Sequence, residues 1–188
     1  MNILLITLDQ FRGDCLSCAG HPIVKTPNLD RLAADGVRLA RHYSQCAPCG
    51  PGRASLYTGL YQMNHRVVAN GTPLDRRFDN IALAARRAGY APTLFGYTDQ
   101  SIDPRDADGP NDPRLSNYEG VLPGFEVGCD LSAPNAGVWI DWLRGHGHTV
   151  EGSFEAALRS EPDRPAEHSL SAFLVGELID WTDRKSVV

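Results

Sequence analysis

No stretch of this 188-residue chain is apolar for long enough to cross a bilayer. A basic surplus is also missing: 18 Lys and Arg stand against 23 Asp and Glu, for a formal net charge of -5. That argues against broad nucleic-acid binding, which needs a basic face. It leaves room for a small anionic substrate, because local groups set the field inside a cleft. The first residues, Met1 to Asp9, have no basic n-region and only a short apolar stretch, so they read as a buried strand and the expected compartment is the cytoplasm. An even complement of cysteines is lacking too. Five of them in a cytosolic chain argue against a disulfide framework. There is no internal repeat and no low-complexity tract. What remains, at 42% hydrophobic and 22% charged residues, is an ordinary globular composition long enough for one domain with its own core.

Residues 3–8 form a nearly continuous apolar run ending at a carboxylate, Asp9, which predicts a first parallel strand. Thr26-Pro27 can open a helix that Gly36 ends. Val37 to Tyr43 reads as a strand. A second helix is predicted from about Cys49–Gly52 to Thr58, stopped by Gly59. A third runs over Asn80–Ala88, with Asp79 as cap and Gly89 as stop. Ala91–Gly96 reads as the next strand, leading into Tyr97-Thr98-Asp99. Strands and helices in this alternation predict an α/β fold with a mostly parallel sheet flanked by helices. Residues 100–135, rich in Pro, Gly, Asp and Asn, read as a long irregular excursion with short strands within it. Helical patterning returns at 154–160 and 169–183, where Phe173, Leu174, Leu178 and Trp181 can share a face.

The densest chemistry lies in Cys49-Gly50-Pro51-Gly52-Arg53-Ala54-Ser55-Leu56-Tyr57-Thr58-Gly59. A thiol at a helix N-terminus faces unpaired backbone N–H groups and the positive end of the dipole, a place suited to a group that attacks a tetrahedral oxyanion. Arg53, one turn on, shares that face and can hold a derivative of Cys49 or a substrate oxygen through charge-assisted bonds. The bland readings are a structural Cys49 or a zinc or redox pair with Cys46. No second C-x-x-C or spaced Cys/His pair completes a zinc site, and Cys46 is read as structural.

Cys49, Pro51, Arg53, Leu56, Thr58 and Gly59 stand at the offsets that sulfatases and their relatives share. By average residue usage, meeting all six by chance in this length is roughly a 10⁻⁶ to 10⁻⁵ event. The chain therefore resembles the N-terminal part of a sulfatase, and the resemblance covers Met1 to about Asp99 well and residues 165–183 more loosely. It implies an alkaline-phosphatase-like fold. It also implies that Cys49 is oxidised after translation to formylglycine by dedicated machinery. One hydroxyl of the hydrated aldehyde attacks sulfur or phosphorus. The second then loses its proton, and the aldehyde returns as the anion leaves.

The same resemblance places Asp9, Gln10 and the derivative of Cys49 on a divalent metal such as calcium or manganese. Most sulfatases have a second Asp where this chain has Gln10. Asp9-Gln10 with Cys-Gly-Pro-Gly-Arg looks more like the phosphonate monoester hydrolase (phosphodiesterase) branch. Asn70 matches an active-site Asn that can donate to a substrate oxygen, though Asn70-Gly71 is equally an ordinary turn. Tyr97 and Thr98 fall at the strand edge where that branch places substrate-binding residues; the plain reading of Tyr97 is loop packing. His168, in Glu167-His168-Ser169, is the candidate for protonating the leaving group, against a surface His at a helix start. His146 and His148 form a weak H-x-H in a glycine loop and are set aside, with His21, His42 and His65.

The Asp-His pair that supplies the family's remaining metal ligands does not occur in the 188 residues. The metal site is thus expected to be half-built and the chain truncated, ending in or just after a helix. The leading expectation is a metal-dependent hydrolase of phosphonate monoesters or phosphate diesters, acting on a small anionic ester, with oligomerisation left open. The rivals are an arylsulfatase of the same mechanism and a catalytically incomplete fragment or binding protein.

Overall fold

The computed structural model describes residues 1–132 and 136–185, so the end of the predicted excursion at 133–135 and the terminal Ser186–Val188 lie outside the described residues. The chain divides into two units, Met1–Ser44 and Gln45–Val188.

In the first unit, helix α1 (Pro27–Asp35) forms where the Thr26-Pro27 signal predicts it. Thr26 does not cap it in the usual way. Its hydroxyl donates to Asp30 Oδ1 at 3.1 Å and lies 2.9 Å from Ser17 Oγ, while Asp30 accepts from Ser17 Oγ (2.6 Å) and Cys18 N–H (2.9 Å). Asp30 thus ties α1 to the turn before it. The strand predicted over residues 3–8 is not formed. These residues make no ladder, and Ile3, Leu4 and Ile6 are 65–70% exposed. A strand exists through its neighbour's hydrogen bonds, and apolarity alone does not supply that neighbour. Val37–Tyr43 is likewise not a strand, because a turn at Ala40–Arg41 interrupts it.

The second unit carries a parallel pair, β1 (Thr93–Gly96) and β2 (Glu126–Asp130), with Phe95 opposite Cys129 and a bulge between Leu94 and Phe95. The connection between the strands is the predicted irregular segment, so β2 lies inside what the sequence marks as excursion. Two Asp-Pro-Arg turns organise it. Asp103 accepts from the backbone N–H of Arg105, and Asp112 from that of Arg114, each at 2.9 Å, and each Arg side chain returns to the same carboxylate. Asp103 also accepts from Arg76 N–H at 2.9 Å. Arg105 therefore holds the Asp103 carboxyl well below the usual carboxylate range.

Helix α2 (Cys49–Thr58) ends on Gly59, whose φ of 70° is a left-handed cap that favours glycine and sends its N–H to Ser55 O at 2.9 Å. Helix α3 spans Gln62–His65, α4 Ile81–Arg87, α5 Gly137–Gly145, α6 Phe154–Arg159 and α7 Leu170–Lys185. One apolar cluster, centred on Trp139 and Leu143 of α5, takes in Cys129, Ala157 and Phe173. The predicted face of α7 holds: Phe173 is buried, Leu174 packs on the cluster, and Trp181 meets the edge of Phe95 at 5.8 Å. A second cluster, Ala54, Tyr57, Val67, Leu74 and Leu122, lies under α2 and fixes that helix. No helix among the described residues is long and apolar enough to cross a membrane.

Candidate active site

Cys49 is the first residue of α2, half-buried, preceded by a cis Ala47–Pro48 peptide. The first turn of a helix leaves N–H groups without intrahelical partners. Here the Gly50 N–H finds the side chain of Asn70, donating to Oδ1 at 2.8 Å. The Asn70 carbonyl is thus committed to the turn that carries Cys49, and its Nδ2 is the end that can face a substrate. The Asn of an Asn-Gly turn (Gly71 φ 80°) thus caps the head of α2 from a distant part of the chain.

Arg53 meets the end of β1. Its Nη1 donates to Tyr97 O at 3.3 Å, its guanidinium lies over the Tyr97 ring at 5.0 Å, and its Nε stands 4.0 Å from Asp99 Oδ2. Both charged side chains are largely buried, at 14% and 5% exposure. Asp99 is thus the counter-charge that lets Arg53 sit inside the protein, and it is a site residue that the sequence reading used only as the end of a segment. Nearby, burial pushes the Tyr57 hydroxyl up, with Arg53 pulling the other way. Tyr118 packs beside Gly71, and its hydroxyl is raised chiefly by the charge of Glu119, with smaller contributions from Asp99 and Cys49.

Thr98 requires a correction. It is fully buried, its hydroxyl donates to Gly120 O at 2.6 Å, and it accepts from Leu122 N–H at 2.9 Å. That hydroxyl fastens the strand end to the excursion and does not present itself to a substrate. His168 requires another. Its Nδ1 lies 2.7 Å from His148 Nε2, and its ring packs against Trp142 (5.6 Å) and His146 (5.2 Å). Its neighbours are therefore the two histidines set aside in the sequence, and the proton-donor role does not follow from this placement. Burial and His168 together push His148 down.

A Ser–His contact under α2 also escaped the sequence reading. Ser55 Oγ lies 2.9 Å from His65 Nε2, both residues buried, with Cys46 Sγ 3.4 Å from the same hydroxyl. Val67 N–H donates to His65 Nδ1 at 3.1 Å. Nδ1 is therefore the acceptor and Nε2 carries the proton, so His65 donates to Ser55 and is not a base for it. Burial pushes His65 down, toward the neutral form this requires. The contact is structural, as is Cys46.

Asp9 and Gln10 belong to the first unit, where they form an exposed turn with Gln10 at φ 54°. They do not terminate a strand. Their side-chain oxygens are the donor type a hard cation takes, but such ions gather six or more oxygens. Among the described residues, no group of three or more His, Cys, Asp or Glu is placed to hold a metal. The residues present do not fit a complete metal site.

Residues 1–131 match the family model described as Sulfatase. The chain belongs to the sulfatase family. Among relatives of this sulfatase-family chain, the multifunctional alkaline phosphatase superfamily protein PehA of Trinickia caryophylli is 43% identical over 152 residues, which cover 78% of this chain and 29% of the relative. An arylsulfatase of Clostridium perfringens is 38% identical over 96 residues, 50% of this chain and 20% of that one. The crystal structure of the phosphonate monoester hydrolase of Agrobacterium radiobacter superposes with a TM-score of 0.81 at 53% identity, covering 93% of this chain and 36% of that chain. The fold is therefore alkaline-phosphatase-like α/β, and the match spans from 20% to 36% of the length of these proteins.

Proposed function

We propose that the protein hydrolyses phosphonate monoesters or phosphate diesters through a nucleophile made from Cys49. The observation that carries this reading is the 53% identity, across 93% of the chain, to a phosphonate monoester hydrolase. The motif from Cys49 to Gly59 at the head of α2 supports it. Formylglycine at position 49, installed by dedicated machinery, would supply a hydrated carbonyl that attacks the ester and releases the product anion without a second water. This chain's own residues do the rest. Asn70 fixes the turn below position 49 and keeps Nδ2 for a substrate oxygen. Arg53, its buried charge balanced by Asp99, offers N–H donors to a developing oxyanion. The Tyr97 hydroxyl is the further donor for a phosphoryl oxygen. The reading includes a divalent cation held in part by Asp9 and Gln10, and no step here runs through it. Five cysteines, none of them in a disulfide among the described residues, suit a reducing, cytoplasmic location.

A second reading, an arylsulfatase of the same mechanism, is favoured by the arylsulfatase relative. Gln10 separates the two. A neutral amide where a second carboxylate is expected lowers the negative charge facing a phosphorus centre. The test is the ratio of phosphodiester to aryl sulfate turnover in wild type and Gln10→Asp, with intact mass on the same samples. Conversion at Cys49 lowers the mass by about 18 Da. Gln10→Asp should move the ratio toward sulfate, and an unchanged ratio refutes the role of Gln10. A wild type that keeps its full thiol mass and turns over neither ester refutes the hydrolase reading and leaves an incomplete fragment or binding protein.

A further inference from the structure

Gln100 is buried, with 2% exposure. Its Nε2 donates to Gly50 O at 2.7 Å and to Asp99 O at 2.7 Å. Two carbonyl acceptors on one side fix which end of the amide points there, since the opposite orientation would set three oxygens against one another. The other end, Oε1, is buried with no hydrogen-bond partner among the described residues. A buried acceptor left without a partner is destabilising, so an apolar side chain of similar shape would be cheaper unless the two bonds of Nε2 matter. Asp99, the preceding residue, has a φ of 56°. That left-handed conformation in a residue with a Cβ persists only where its surroundings hold it. Gly50 is held from the opposite side as well. Its N–H is bonded to Asn70, and a Cβ on it would stand 3.1 Å from Asn70 Oδ1 and 3.3 Å from Asn70 Cα.

We infer that Gln100 is a positioning residue: by gripping the Gly50 carbonyl while Asn70 grips the Gly50 N–H, it sets the backbone that aims position 49 at the substrate. The inference rests on the hydrolase reading above for its catalytic consequence, but not for its geometry. The same side chain joins the head of α2 to the segment that carries Asp99, and so couples the placement of position 49 to the placement of Arg53's counter-charge.

The test is made in the protein at its full native length. Gln100→Leu keeps most of the volume and removes the donor. It should lower kcat about 10- to 100-fold, the scale of a displacement near 1 Å. KM should stay within about twofold, since an interaction acting through orientation affects the chemical step. Amide hydrogen exchange across residues 46–56 should quicken. Gln100→Glu puts a carboxyl between two carbonyls, and only its protonated form can donate. Its kcat relative to wild type should therefore rise as pH falls, a response that loss of packing does not give. Wild-type kcat and wild-type exchange in Gln100→Leu overturn the inference and leave the hydrolase reading standing. If the wild type turns over no ester, the hydrolase reading fails by itself and exchange decides the positioning, unchanged exchange overturning it. If Gln100→Leu does not fold, the Gln100→Glu profile decides, and a flat profile overturns the inference.

Discussion

Arg53 and Asp99 show how a single residue acquires its role from a neighbour distant in sequence. A guanidinium one turn into a helix is legible as a candidate anion-binding group. Its burial at 14% exposure is tolerable only because Asp99 stands 4.0 Å away across 46 positions of chain. Cys129 illustrates the opposite environment. Burial, with Glu177 and Asp130 adding smaller effects, pushes its thiol up to about 11. The thiolate is the reactive form, and it is scarce at neutral pH. Cys129 should therefore be the last of the five cysteines to be alkylated by iodoacetamide in the native protein. Labelling should turn on when the protein is unfolded or the pH is raised toward 11, as read by peptide mass mapping. Fast native labelling of Cys129 at neutral pH would contradict the buried position given to it.

Helices were the elements most readable in advance, because their start and stop signals are local. The limits of α2 and the stop at Gly59 follow from the sequence around them. The cap of α4 shows where that reading slips by one residue. Asn80, not Asp79, accepts from Ala82 N–H at 2.8 Å and Leu83 N–H at 3.1 Å, while Asp79 pairs with Arg87 at the far end of the same helix. Asp and Asn are near-equal caps, so adjacent candidates are separated only by where the chain turns. Here Asn80 also donates to Pro123 O at 3.1 Å, which draws it into the buried position. Asn80→Ala should destabilise the protein by about 1 kcal/mol or somewhat more, measured by denaturant unfolding, whereas Asp79→Ala at the exposed pair should cost less. Strands were less readable. The apolar run at 3–8 and the Val37–Tyr43 segment satisfy the pattern without a ladder, since a strand needs a partner that its own residues do not name. β2 shows the reverse case. Glu126, Val127 and Gly128 are exposed and the segment lies in Pro- and Gly-rich surroundings, yet pairing with β1 makes it a strand.

At the scale of the molecule, the core of the second unit is organised by α5, which the sequence reading did not single out. Trp139 and Leu143 are fully buried there, four residues apart on one face. Leu143→Ala should cost about 2–5 kcal/mol, the range for a buried Leu whose site cannot collapse. A loss under about 1 kcal/mol in equilibrium unfolding would show that α5 is not the centre of that cluster. The sequence by itself determined the family and the place of its motif, because a helix opening, its glycine stop and six motif residues lie within eleven consecutive positions and need no distant partner. Tertiary structure alone decided which polar groups serve that helix. It gave Arg53 its carboxylate, turned the Thr98 hydroxyl inward to Gly120 and Leu122, and seated His168 among His146, His148 and Trp142. It also closed Asn70 and Gln100 on the N–H and the C=O of one residue, Gly50. The physical reason is range: helix punctuation acts over a few residues, whereas burial and hydrogen-bond partnership are settled by which distant segments the folded backbone brings within 3 to 4 Å.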